Sequence, residues 1–155
     1  MDWWRIAHIL SLVWLGAGLG STYPHILHAW ASNELRYQAF SIVEAANNES
    51  RHLLPGAMAT GSTGFFWAVA DERNFFTEAW LAILSALFVF FYLVCLPLLA
   101  VGLRRAREAV LAAEESGELT DELKEVLEDK VPIVFGALLI LSVPLMAWVA
   151  IFKPF

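Results

Sequence analysis

The sequence predicts an all-α membrane protein, a four-transmembrane-helix bundle with a short cytoplasmic helical hairpin between helices three and four. Three observations carry that prediction. The first is composition. Of 155 residues, 59% are hydrophobic and 17% charged, against about 45–50% and about 25% in soluble domains. The second is where the charges are missing. No Asp, Glu, Lys or Arg occurs in 6–33, 52–70, 79–103 or 131–152. Each of these runs is long enough for a bilayer-crossing helix, which takes about 17–25 residues. The third is that the runs are too long for barrel strands, and in lipid only a helix pairs all its own backbone groups.

The first helix is expected at about Trp3–Trp30 and the second at about His52–Ala70. The third is expected at about Phe75–Leu103 and the fourth at about Val131–Phe152. Together they form one polytopic domain over residues 1–155. The first run is longer than a signal-peptide core, and Arg5 is its only nearby basic residue, so no cleaved leader is expected. Trp3, Trp4, Trp30 and Trp80 fall near run ends, as an aromatic belt requires. Gly16 and Gly20 form one close-packing pair. Gly56, Thr60 and Gly64 repeat the same spacing, as do Ala57 and Gly61. Pro132 suits the first turn of helix four. Pro97 and Pro144 are expected to kink their helices.

Between helices, residues 31–51 read as a polar loop with a turn at Asn47-Asn48. Residues 104–130 read as a helical hairpin broken at Ser116-Gly117, with Thr120 capping its second helix. Leu119, Leu123, Val126 and Leu127 fall on one face of that second helix. The plainest account of the hairpin is an extension of helices three and four beyond the membrane. A docking surface for a partner subunit is the functional account. Lys and Arg sort seven to three. Arg36, Arg51, Arg104, Arg105, Arg107, Lys124 and Lys130 lie on one side, and Arg5, Arg73 and Lys153 on the other. This bias predicts both termini outside a bacterial-type inner membrane.

Composition also excludes functions. A net charge of −6 and no basic patch argue against nucleic-acid binding. The single cysteine, Cys95, excludes a disulfide framework or a Cys-based cluster within the chain. The partners to expect are the lipid bilayer and other membrane subunits or a second copy.

Four histidines remain as candidate cofactor-binding residues: His8, His25, His28 and His52. An ionisable side chain within a membrane is costly and is a functional candidate. His8 and His25 lie 17 residues apart on one helix, roughly 25 Å, so they cannot share a metal. Two sites follow: His52 with His25 or His28 on the inner side, and His8 on the outer side. Imidazoles in an apolar bundle suit the axial positions of a haem iron, with His8 and His52 the candidate ligands. The plainer account is that histidines near helix ends reach headgroups or water.

His8 followed by Trp14 and His28, then Pro55-Gly56, Thr60 and Trp80, forms a pattern with Lys130-Val131-Pro132 and the terminal Lys153-Pro154-Phe155. It resembles the HemJ-type protoporphyrinogen oxidases, the CopD-like membrane domains, and most closely their uncharacterised four-helix integral membrane relatives. The resemblance implies haem b, with His8 at the position of the functional histidine. It also implies a lysine in helix three shortly after a tryptophan. Here Trp80 is followed by Leu81, Ala82, Ile83 and Leu84, and a cation for porphyrin propionates is missing from that helix. The span between Pro132 and Lys153 is also longer than the oxidase pattern. A haem-b redox or accessory subunit of a membrane complex is therefore the first expectation. A HemJ-like oxidase and a haem-free anchoring subunit are the alternatives.

Overall fold

The computed structural model describes residues 3–154, all of whose regular elements are helical. Phe155 lies outside the described residues. In chain order the helices are α1 (Trp3–Ala31), α2 (Leu35–Asn48), α3 (Leu54–Ala70), α4 (Ala79–Val89), α5 (Leu96–Ser116), α6 (Asp121–Glu128) and α7 (Val131–Phe152). Two π-helical segments, Glu49–Leu53 and Phe90–Cys95, join α2 to α3 and α4 to α5 without a break.

Proline explains the position of both segments. A proline has no N–H, and its ring collides with the carbonyl four residues earlier. Pro55 and Pro97 follow the π segments, and residues Arg51 and Leu93, four positions back, lie inside them. The wider turn moves that carbonyl away. The Leu54 N–H then bonds the Glu49 carbonyl, and the Leu96 N–H the Phe91 carbonyl, each five residues back. Pro97 is thus absorbed by a widened turn at the start of α5. Pro132 occupies the first turn of α7, as the sequence predicts, and Pro144 lies inside that helix.

Three helical stretches are long and apolar enough to cross a membrane: Trp3–Ala31, Ala79–Ser116 and Asp121–Phe152. α3 is 17 residues long. It is the apolar end of a continuous rod that begins at Leu35, so the polar loop expected at 31–51 is a correction. Only residues 32–34 leave helical conformation there, and Asn47-Asn48 lies in helix. The physical reason is a buried stripe. Ala39, Ile42, Ala45, Ala46 and Leu53 recur at helical spacing and are all buried. The third expected helix also shifts. It starts at Ala79 rather than Phe75 and runs on to Ser116.

Glycines set the register. A Cβ on Gly18 would lie 2.7 Å from Leu53 Cα, and one on Gly56 would lie 3.0 Å from Leu15 Cα. α1 and the α2–α3 rod therefore run antiparallel with backbones touching. α4–α5 and α7 also run antiparallel. Trp80 meets Lys153, Tyr92 meets Ser142, and Gly102 meets Pro132.

Two apolar cores result. One joins Leu15, Leu19, Ile26, Leu53, Phe91, Leu96, Leu99 and Leu139. The other joins Ala39, Ile42, Ala106, Val110, Leu123 and Val126 at the hairpin end. The outside of the first region is also apolar. Val13, Leu93, Leu141 and Ile151 are each more than 60% exposed, which suits lipid rather than water. At the hairpin, Gly117 takes φ +72° and Thr120 Oγ1 accepts the Leu123 N–H, as the sequence predicts. Leu123 and Val126 are buried, but Leu119 is 43% exposed. It precedes the cap, so it is off the buried face of α6. Trp30 Nε1 donates to the Asp129 carbonyl at 2.9 Å and ties α1 to the α6–α7 joint.

Candidate functional site

The terminal end of the bundle holds His8, on the second turn of α1 and half-buried against α3. Its neighbour there is Gly64, where a Cβ would stand 3.0 Å from the imidazole Cε1. Only glycine lets the ring lie this close to the α3 backbone. Nδ1 is 3.2 Å from Thr63 Oγ1. Thr63 gives its own proton to the Ala59 carbonyl at 2.7 Å. The Thr63 oxygen is then an acceptor, which favours the imidazole proton on Nδ1. Ser11 Oγ lies 3.0 Å from the same hydroxyl and donates to the His8 carbonyl at 2.8 Å. The Trp67 ring lies 5.6 Å from the imidazole, and the Arg5 guanidinium 5.4 Å from the Trp67 ring. Trp4 stacks on Phe66 at 4.8 Å. The result is an oriented imidazole in an aromatic setting with a cation at its edge.

The other three histidines lie elsewhere. His25 is half-buried, edge-on to Phe40 of α2 at 6.0 Å. His28 and His52 are exposed. The His52 backbone packs beside Gly18, ten residues along α1 from His8, or roughly 15 Å. His8 and His52 are thus too far apart to share one iron. Among the described residues, no three His, Cys, Asp or Glu side chains gather as a metal site. Cys95 is buried in the core.

Two features escaped the sequence reading. The first is Lys153. Its Nζ lies 4.5 Å from the centroid of the Trp80 ring. Residues 81–103 carry no cation, yet the end of α7 delivers one to Trp80. Glu78 Oε2 accepts from Trp80 Nε1 at 3.0 Å and pairs with Arg73 at 3.3 Å. The 71–78 loop and the end of α7 are thereby joined through one indole. Such a contact between residues distant in sequence is invisible to spacing. The second is Glu49, 4% exposed and the one charged residue in the buried set of the described chain. It sits where a polar loop was expected, so its burial was hidden by the wrong element assignment.

A family model described as predicted integral membrane protein (DUF2269) matches residues 3–154. No curated protein and no solved structure matches the chain.

Proposed function

The chain belongs to this family of integral membrane proteins, and from that premise we propose that it is a haem-b-binding redox or accessory subunit of a membrane complex, with His8 as the iron ligand. In this reading the α2–α3 rod crosses the bilayer as a fourth span. Both termini face outward from an inner membrane, and the hairpin lies in the cytoplasm. The observation that carries the reading is the His8 imidazole, pressed against Gly64 with Nδ1 3.2 Å from Thr63 Oγ1. A histidine fixed at one nitrogen by a neighbour is the arrangement that iron ligation needs. Of the residues here, His8 would hold the iron. A second histidine ligand would come from another chain, because His25 and His28 lie toward the opposite end of α1 and His52 lies beside Gly18 at its middle. Bound haem supplies one-electron transfer. Thr63 holds the imidazole and Trp67 walls it.

A second reading, a HemJ-like protoporphyrinogen oxidase, gains from Lys153. Its ammonium over Trp80 supplies in space the cation that helix three lacks in sequence.

A dithionite-reduced minus oxidised spectrum of the detergent-purified chain, with a pyridine haemochrome assay, tests the proposal. The expected result is a b-type signal that His8→Ala abolishes, while His25→Ala, His28→Ala and His52→Ala retain it. A blank from haem-replete cells sinks the haem reading and leaves the haem-free anchoring subunit. Restored haem synthesis in a strain lacking its oxidase would favour the enzyme over the accessory subunit.

A further inference from the structure

At the terminal end of the bundle a groove of about 400 Å³ opens between the last turns of α3 and the 71–78 loop. Phe65, Val69, Phe75 and Phe76 form its apolar walls, and Glu72 and Arg73 its rim.

Backbone bonds fix this loop. The Asp71, Glu72 and Arg73 N–H groups donate to the Trp67, Val69 and Ala68 carbonyls at 3.0, 3.1 and 2.9 Å. The last two bonds close α3 in the Schellman pattern. That closure holds Glu72 at φ 55°, a left-handed conformation that glycine usually supplies. Further on, the Phe76 N–H donates to Asn74 Oδ1 at 2.9 Å, and the Glu78 N–H to the Asn74 carbonyl at 3.0 Å. Phe75 turns in and stacks on Phe65 at 5.5 Å. Phe76 turns out and is 98% exposed. A fixed loop that holds a phenyl ring wholly outside the fold marks a contact surface.

Helix ends set the depth of the groove. α1 begins at Trp3, α4 begins at Ala79 and α7 ends at Phe152, and each belongs to a stretch long and apolar enough to cross a membrane. Trp4 stacks on Phe66, and Lys153 lies over Trp80, so these ends share the level of the loop. The groove therefore opens at the bilayer edge. Phe65 lies seven residues before Glu72, roughly 10 Å deeper along α3. Phe65, Phe66 and Val69 are all exposed, so the apolar wall continues into the lipid-facing surface of α3. Charges above an apolar wall match a phospholipid, with its headgroup above its acyl chains. The volume lies in the range of small-ligand sites, about 300–1,000 Å³. It suits a headgroup and the start of one chain.

The rim charges select the headgroup. Asp71, Glu72 and Glu78 are three acids against one cation, Arg73. An anionic headgroup would meet more repulsion than attraction there. A zwitterionic one meets a partner for each of its charges. Arg73 Nη1 pairs with Glu78 at 3.3 Å, and a guanidinium has more donors than one carboxylate oxygen uses. Its planar fork suits phosphate.

We propose that this groove binds a phospholipid with a zwitterionic headgroup, of the phosphatidylethanolamine class. The phosphate meets Arg73, the ammonium meets Glu72, and one acyl chain starts along Phe76, Val69 and Phe65. The site shares no residue with the His8 site and does not depend on haem.

Native mass spectrometry of the full chain tests the site. The detergent-purified chain is exposed to equal amounts of phosphatidylethanolamine and phosphatidylglycerol with the same acyl chains. The expected result is a retained lipid, with phosphatidylethanolamine favoured. Glu72→Gly should lose that preference and still retain lipid. It should fold at least as well as the parent, because glycine accepts φ 55° without strain. Arg73→Gln should lose retention of both lipids, and His8→Ala should change neither. Equal retention of the two lipids by the parent chain would overturn the proposal. So would a preference that persists in both Glu72→Gly and Arg73→Gln. A polypeptide of fixed mass retained in place of lipid would also overturn it and assign the groove to a partner chain.

Discussion

At the residue scale, two glycine stripes on α1 look alike in sequence but differ in space. Gly16 and Gly20 have nothing within 4 Å of where a Cβ would sit. Gly18 lies between them and would press its Cβ to 2.7 Å from Leu53 Cα and 2.8 Å from Leu53 N. Backbone atoms of a helix cannot step aside as the tip of a flexible side chain can. Gly18→Ala should therefore destabilise the chain by about 1–3 kcal/mol, the range for overpacking. Gly16→Ala and Gly20→Ala should leave it unchanged or slightly firmer, since alanine is the better helix former. Thermal melts in one detergent separate the two outcomes. Equal losses at all three positions would refute the register. The sequence marks Gly16 and Gly20 as the pair, so it points to the stripe that α3 does not use. Burial decides which stripe packs, and one helix read alone has no partner to define burial.

At the element scale, legibility followed hydropathy. α7 falls at the expected residues because charges at Lys130 and Lys153 bound a run without any. α2 was missed because Arg36, Gln38, Glu44, Asn47 and Asn48 interrupt its apolar residues, although Ala39, Ile42 and Ala46 keep the period of a helix face. The hairpin was legible because its turn chemistry is local. Gly117 takes a left-handed conformation that costs glycine little, and Thr120 caps α6. Thr120→Ala should cost about 1 kcal/mol. The loss should concentrate in α6, whose eight residues have little stability of their own. Hydrogen exchange would show faster exchange over residues 121–128 with α1 and α7 unchanged. Protection at 121–128 equal to the parent chain would mean that Leu123 and Val126, not the cap, hold the helix.

At the scale of the whole molecule, the number of membrane crossings depends on whether the α2–α3 rod follows α1 through the bilayer. Trp3–Ala31, Ala79–Ser116 and Asp121–Phe152 each have the length and apolarity to cross. α3 alone is 17 residues, about 26 Å at 1.5 Å per residue and slightly short of a hydrocarbon core of about 30 Å. The rod it belongs to runs from Leu35 to Ala70 without interruption, antiparallel to α1. If α1 crosses, the rod packed beside it is drawn through the same thickness. Three exposed positions read this out: Asn33 between α1 and α2, Thr77 before α4, and Glu118 in the hairpin turn. The native thiol, Cys95, is fully buried, so Cys95→Ser gives a silent background. In intact cells a membrane-impermeant maleimide should label Thr77→Cys. It should reach Asn33→Cys and Glu118→Cys only after lysis. The mirror-image pattern keeps four crossings and reverses the orientation that seven of the ten Lys and Arg residues favour. Labelling of Asn33→Cys and Thr77→Cys from the same side would mean that the rod does not cross. His8, which α3 holds through Thr63 and Gly64, would then lie against a helix outside the hydrocarbon, and the apolar setting that favours haem there would be lost.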